Sequence, residues 1–176
     1  MVNYFELYGI EPSFTPDAAA VKAKFYELSR LYHPDRFTLA GEHEHSEALR
    51  MAALNNDAYK TLSNPDTAMA YVLKLHNLLE EEGKYNLPPA FLMEMMELNE
   101  AVSEYEMEPD NETIKQQAIT ALNEQSAQWT AEVAPLTAAY NNGNQSQELL
   151  LKIKDYYFRK KYLLRIQQRI NTFASR

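Results

Sequence analysis

The sequence predicts an all-α protein: an antiparallel amino-terminal helical hairpin with small flanking helices, then an antiparallel bundle of three helices. Three observations predict it. Only 4 glycines occur in 176 residues while Ala, Leu, Glu, Gln and Lys abound, a composition that favours helix nearly throughout. Apolar residues recur at spacings of three and four along several stretches, and no alternating strand pattern survives. Clusters of Pro, Gly and Asn punctuate the chain between those stretches.

A short helix is predicted over residues 4–7. Pro12 and Pro16 bracket a loop, and Thr15-Pro16-Asp17 starts the next helix. Val21, Phe25, Leu28 and Tyr32 form its apolar stripe, which leaves Lys22, Lys24 and Arg30 in solvent. His33 precedes Pro34, whose ring disfavours helical geometry in the residue before it, so this helix ends there. A polar loop with Gly41 spans 36–45 and contains His43 and His45. A second long helix is predicted over 46–62, with Leu49, Ala53, Ala58, Tyr59 and Leu62 facing the core. Asn64-Pro65-Asp66 stops it and caps a helix over 67–78 that carries Ala70, Leu73 and Leu75 inward.

Residues 79–87, charged and glycine-containing, read as a linker between a first domain (1–78) and a second (88–176). After Pro88-Pro89, the residues Phe91, Leu92, Met95, Met96, Leu98 and Val102 mark a helix ending near Pro109. A helical segment follows over 112–141, and Pro135 within it should kink or interrupt it. Asn141-Asn142-Gly143-Asn144 is a turn. The last helix, 146–173, has Leu149, Ile153, Tyr157, Leu164 and Ile170 among its apolar residues.

Composition excludes several functions. The net charge of −8 argues against nucleic acid as a partner, because phosphate binding needs surplus Lys and Arg. The absence of cysteine removes thiolate nucleophiles, disulfides and thiolate metal sites. No apolar run approaches the roughly 20 residues of a membrane span. The first residues lack a basic region followed by an apolar stretch, so a cytoplasmic location is expected, and a mature mitochondrial matrix chain would fit as well. Charge is unevenly spread: 11 carboxylates against 1 lysine over 80–112, then 8 Lys or Arg against Asp155 alone over 149–176. Such segments attract each other within one fold or leave acidic surface for a basic partner.

The motif that carries function is His33-Pro34-Asp35. Alone it is weak, since any tripeptide recurs by chance. Here it leaves an amphipathic helix bearing Lys22, Lys24 and Arg30, and Arg36-Phe37, a polar loop and a second helix ending in Asn56-Asp57-Ala58-Tyr59-Lys60-Thr61-Leu62-Ser63-Asn64-Pro65 follow it. This string, opened by Tyr4-Phe5-Glu6-Leu7-Tyr8-Gly9-Ile10, resembles the J-domain. Pro34 stiffens the loop, so Asp35 is held ready for a charge-assisted pair with a partner arginine. The resemblance implies that His33, Pro34, Asp35 and Arg36 engage a heat-shock ATPase chaperone of the HscA/DnaK type and bias it toward hydrolysis. Lys22, Lys24 and Arg30 would steer and position that encounter.

The second half, with Phe91-Leu92-Met93-Glu94-Met95-Met96-Glu97-Leu98-Asn99-Glu100 after a diproline, resembles the carboxy-terminal domain of the HscB family. These are J-type co-chaperones of iron–sulfur cluster assembly. The resemblance implies that this bundle binds an IscU-type cluster scaffold protein. Its binding surface would comprise an apolar patch of Leu92, Met93 and Met96, flanking carboxylates Glu97, Glu100 and Glu104, and one aromatic of the last helix, Tyr157 in preference to Tyr156. Helical spacing puts Met93, Met96, Glu97, Glu100 and Glu104 along one face. One helix cannot bury Phe91, Leu92, Met93, Met95, Met96 and Leu98 together, because the set spans its circumference. Some apolar surface must therefore stay exposed, as at binding sites.

No cofactor or metal is expected, and no enzymatic role. Glu97, Glu100 and Glu104 lack a neighbouring catalytic partner in the sequence, and His43 and His45 lack further suitably spaced ligands. The alternative function is a J-domain co-chaperone of similar architecture serving a different client.

Overall fold

The computed structural model describes residues 2–39, 41–79 and 85–174, and every regular element among them is helical. The chain divides into two compact units, Met1–Asn77 and Leu78–Arg176. Residues 80–84, the centre of the expected linker, lie outside the described residues.

In the first unit, α1 (Tyr4–Tyr8) starts at Asn3, whose side chain accepts from the Phe5 amide, and closes on Gly9 at φ +61°. Only a residue without a Cβ takes that left-handed cap cheaply. Helix α2 (Ala18–Leu31) is capped by Asp17, which accepts from the Ala19 amide. A 3-10 turn over Pro34–Phe37 leads to α3 (Glu42–Leu62), against which α2 packs as the hairpin. Asn64 caps α4 (Pro65–Leu75) by accepting from the Asp66 and Thr67 amides.

The start of α3 corrects the expectation that residues 36–45 form a loop. The helix begins at Glu42, where the Glu44 carboxylate accepts from the Gly41 amide at 3.2 Å and the first-turn acids suit the helix dipole. His43 and His45 therefore sit on a helix two residues apart and diverge around it. No group of three or more potential metal ligands occurs among the described residues.

The buried seam of α3 is Ala48, Asn55, Ala58 and Leu62. Leu49 and Ala53, expected inside, are exposed, and so is Leu75 of α4; Leu73 is buried as expected, together with Ala68, Met69 and Val72. Small residues at 48 and 58 keep the seam narrow, and its centre is polar. The Asn55 side chain donates to the Phe25 carbonyl and to Ser29 Oγ, both at 3.0 Å. The Tyr8 hydroxyl donates to Asn55 Oδ1 at 2.9 Å, so one buried amide joins α1, α2 and α3. Burial, with Tyr59 nearby, pushes the Tyr8 hydroxyl up to about 12. Phe25 stacks on Tyr59 with centroids 4.3 Å apart.

The second unit holds α5 (Pro89–Glu94), α6 (Met96–Met107), α7 (Glu112–Asn141) and α8 (Gln147–Ala174). The single helix expected over 88–109 is broken at Met95. The Asn99 side chain donates to the Met95 carbonyl at 2.8 Å and to the Tyr162 hydroxyl at 2.6 Å. A side-chain amide bonded to the carbonyl four residues back bends a helix. The break is mild, because the Met95 amide still reaches the Phe91 carbonyl and the Asn99 amide the Met95 carbonyl. Pro135 does not interrupt α7, which runs through it. Pro135 is exposed, and so is Ala131, whose carbonyl loses its helical donor and can turn to solvent.

The core of this unit joins Phe91, Met95, Leu98, Val102 and Tyr105 to Ala118 and Leu122 of α7 and to Leu163, Ile166 and Ile170 of α8. The acidic and basic segments meet in a bidentate pair, Arg169 to Glu106, with both bonds at 2.9 Å. Among the described residues, no helix is long and apolar enough to cross a membrane.

Candidate functional site

Two surfaces were expected to act, and each is built by local chemistry. The first is the turn after α2. The Tyr32 amide still bonds to the Leu28 carbonyl, but Pro34 holds His33 extended at φ −63°, ψ 127°. His33 Nδ1 then accepts from the Asp35 amide at 3.3 Å, so the neutral ring carries its proton on Nε2. The Asp35 carboxylate lies 3.6 Å from the same Nδ1, too far for a hydrogen bond, and its side chain is 86% exposed. Thr38 Oγ1 donates to the Asp35 carbonyl at 3.2 Å, and Arg36 Nη1 to the Arg30 carbonyl at 3.1 Å. The result is a preformed turn, tied to the end of α2, with an outward carboxylate beside an exposed imidazole.

The cations of α2 divide. Lys22 and Arg30 are exposed and lie within about 80° of each other around the helix. Lys24 lies roughly 160° from Lys22 and pairs with Glu27 at 2.8 Å. The structure thus groups Lys22 with Arg30 and sets Lys24 apart. Tyr26, which the sequence reading passed over, is exposed between Lys22 and Arg30 at the four-residue spacing that could have revealed it.

The second surface is the outside of α5 and α6. Leu92, Met93 and Met96 are 43%, 70% and 56% exposed, whereas Phe91, Met95 and Leu98 are buried. Glu97, Glu100 and Glu104 are exposed on the same helix as Met96. Apolar side chains flanked by exposed carboxylates suit docking of a protein.

Tyr157 does not join this surface. It is 8% exposed, a continuation of the buried Leu149, Leu150 and Ile153 line of α8, and Phe158 packs edge-on against it. Phe173 of α8 packs edge-on to Tyr105 of α6, and Tyr162 packs edge-on to Phe91 of α5 with centroids 5.7 Å apart. Five positions turn a helix by about 140°, so Tyr157 faces elsewhere. Tyr156 lines a small crevice with Phe91, Glu94, Trp129 and Arg159, and donates to Glu132 at 2.9 Å.

Sequence reading also missed the clasp that seats α5. The Tyr85 hydroxyl donates to Asp155 Oδ1 at 2.7 Å, and Arg159 Nε donates to Asp155 Oδ2 at 2.6 Å. Tyr85 stacks on Phe158 at 4.1 Å, and the Arg159 guanidinium lies 5.0 Å from the Phe91 centroid. Burial and the bond to Asp155 push the Tyr85 hydroxyl up to about 12. The spacing of Asp155 and Arg159, one helical turn apart, was the available signal.

Known proteins resemble the chain in sequence and in fold. A family model described as the HSCB C-terminal oligomerisation domain matches residues 87–171. The co-chaperone protein HscB homolog of Vibrio vulnificus strain YJ016 is 39% identical over 104 residues, 58% of this chain and 61% of that protein. The homolog of Vibrio atlanticus strain LGP32 is 38% identical over the same shares. The matched segment thus spans about three fifths of these relatives' length. Human co-chaperone protein HscB superposes with a TM-score of 0.78 at 28% identity, covering 98% of this chain and 82% of that one. HscB from Vibrio cholerae superposes with a TM-score of 0.65 at 27% identity, covering 96% and 99%. The all-α fold, an amino-terminal J-domain followed by a helical bundle, is shared with these structures. In its carboxy-terminal domain and in its fold, the chain is thus similar to the HscB co-chaperones.

Proposed function

We propose that this protein stimulates the ATPase of an HscA/DnaK-type chaperone through His33-Pro34-Asp35 and delivers to it an IscU-type iron–sulfur cluster scaffold. The observation that carries the reading is the Asp35 carboxylate, held outward by a prebuilt turn with no partner in a core. A fixed anion adds little ordering cost when a partner arginine pairs with it. Lys22 and Arg30 add steering on the same helix, and Arg36 holds the turn. The protein performs no bond chemistry in this reading. It binds the hydrolysis-competent state of the chaperone better than the other state and so shifts its population.

Leu92, Met93 and Met96, flanked by Glu97, Glu100 and Glu104, take the scaffold, whose cluster is cargo and not a cofactor of this chain. The setting is the cytoplasm of a bacterial-type cell or an equivalent matrix. Titration calorimetry of the full chain with purified scaffold tests the client assignment. Saturable 1:1 binding that weakens on Leu92→Ala, Met93→Ala, Met96→Ala substitution supports it, and no binding assigns the surface to a different client.

A further inference from the structure

We propose that Met93 and Met96 are peroxide-oxidation sites whose conversion to sulfoxide releases the scaffold; this rests on the scaffold reading of the α5–α6 surface. The 7 methionines are not equivalent. Met69 and Met95 are 6% and 1% exposed, and Met51 is half-buried with its Sδ accepting from Arg50 at 3.5 Å. Met93 and Met96 are exposed, three residues apart, and make up two of the three apolar residues of the patch. Met107, 82% exposed, ends α6 eleven residues beyond Met96, roughly 16 Å along the helix. With no cysteine in the chain, exposed thioethers are its most readily oxidised sulfur groups.

The step is balanced. The thioether sulfur attacks one oxygen of hydrogen peroxide, whose O–O bond breaks; that oxygen stays as the S=O group, and its proton passes to the departing hydroxide. Sulfur is oxidised by two electrons, the peroxide is reduced by two, and its other oxygen leaves as water. A methionine sulfoxide reductase reverses it with thiol electrons. The product is a strong, polar acceptor in place of a soft apolar contact. Bound against an apolar partner surface it goes without a donor, and burying an unpaired polar group opposes association. The core escapes, since Met69 and Met95 are shielded, so oxidation switches binding without unfolding the bundle.

The full chain is treated with hydrogen peroxide, modified methionines are mapped by mass spectrometry, and binding to an IscU-type scaffold is measured before oxidation, after it and after reductase treatment. Sulfoxide is expected first at Met93, Met96 and Met107, with an unchanged thermal melt, roughly tenfold or greater loss of affinity, and recovery after reduction. Bound scaffold should slow oxidation of Met93 and Met96 more than that of Met107. A Met107→Leu chain should lose affinity on oxidation as the parent does. In a Met93→Leu, Met96→Leu chain, whatever its starting affinity, peroxide should no longer change it. Full sulfoxide at both sites with affinity altered less than about twofold overturns the inference and leaves the scaffold reading standing. Oxidation of Met107 with Met93 and Met96 spared overturns it as well. No binding by the untreated chain removes the scaffold reading itself.

Discussion

Arg36 reaches back across the turn it belongs to: its Nη1 donates to the carbonyl oxygen of Arg30 at 3.1 Å, fastening the turn to the last turn of α2. The bond satisfies a carbonyl that the helix end leaves without an amide donor. Arg36→Ala should therefore loosen the turn without unfolding the unit. Amide exchange at residues 35–38 should quicken roughly fivefold, as for the loss of about 1 kcal/mol of local stability. Unchanged exchange there would mean that Pro34 and the His33 cap hold the turn alone.

The buried amide of Asn55 should carry a large stability effect in the first unit. Asn55→Ala removes the bonds to the Phe25 carbonyl, Ser29 and Tyr8 together, and should cost about 2–4 kcal/mol. Tyr8→Phe should cost about 1–2 kcal/mol by leaving Asn55 Oδ1 without its donor. Hydrogen exchange of α2 and α3 amides in the full chain reads both.

This residue also shows where the fold was legible in sequence and where it was not. Helices, breaks and caps follow from Pro, Gly and Asn chemistry, and the hairpin and bundle could be read directly. The seam of α3 could not. A pattern weighted by size selects Leu49 over Ala48 and passes over Asn55, yet close helix approach favours the alanine and the network needs the amide. The break at Met95 depends on Asn99 meeting Tyr162, a contact 63 residues apart that no local signal carries. The exposed patch was legible because six apolar residues cannot share one helix face. Tyr157 was not, because the choice between adjacent tyrosines is set by the rotation of α8 against its neighbours.

Alkaline pH should destabilise both units. Tyr8 and Tyr85 are raised to about 12 from an ordinary value of 10.0, so each folded state holds its phenol proton more tightly than the unfolded chain does. Their contribution is fully present below pH 10 and is lost as pH rises from about 10 to 12. Thermal melts across that window, with tyrosinate absorbance, should show a decline that Tyr8→Phe and Tyr85→Phe each reduce. A decline unaffected by either variant would contradict the assignment.

The cations of α2 should differ in effect. Lys22→Glu and Arg30→Glu should weaken chaperone stimulation, more at low salt than at high, since exposed charges are screened over roughly 8–10 Å at physiological ionic strength. Lys24→Glu should matter less, because Lys24 lies on another side of the helix and pairs with Glu27. Equal defects at all three positions would contradict the division.

The apolar patch separates binding from folding. Changing Leu92, Met93 and Met96 together to Ala should lower scaffold affinity by about 1 kcal/mol or more for each strong contributor. The thermal melt should move little, because these side chains are largely exposed, whereas core truncations cost about 2–5 kcal/mol each. Lost stability with unchanged affinity would return them to the core.

The most direct measurement is single-turnover ATP hydrolysis by an HscA/DnaK-type chaperone with parent, His33→Gln and Asp35→Asn chains. Both side chains are exposed and hold no core contact, so both variants should melt like the parent while stimulation is abolished. Undiminished stimulation by either variant would contradict the account.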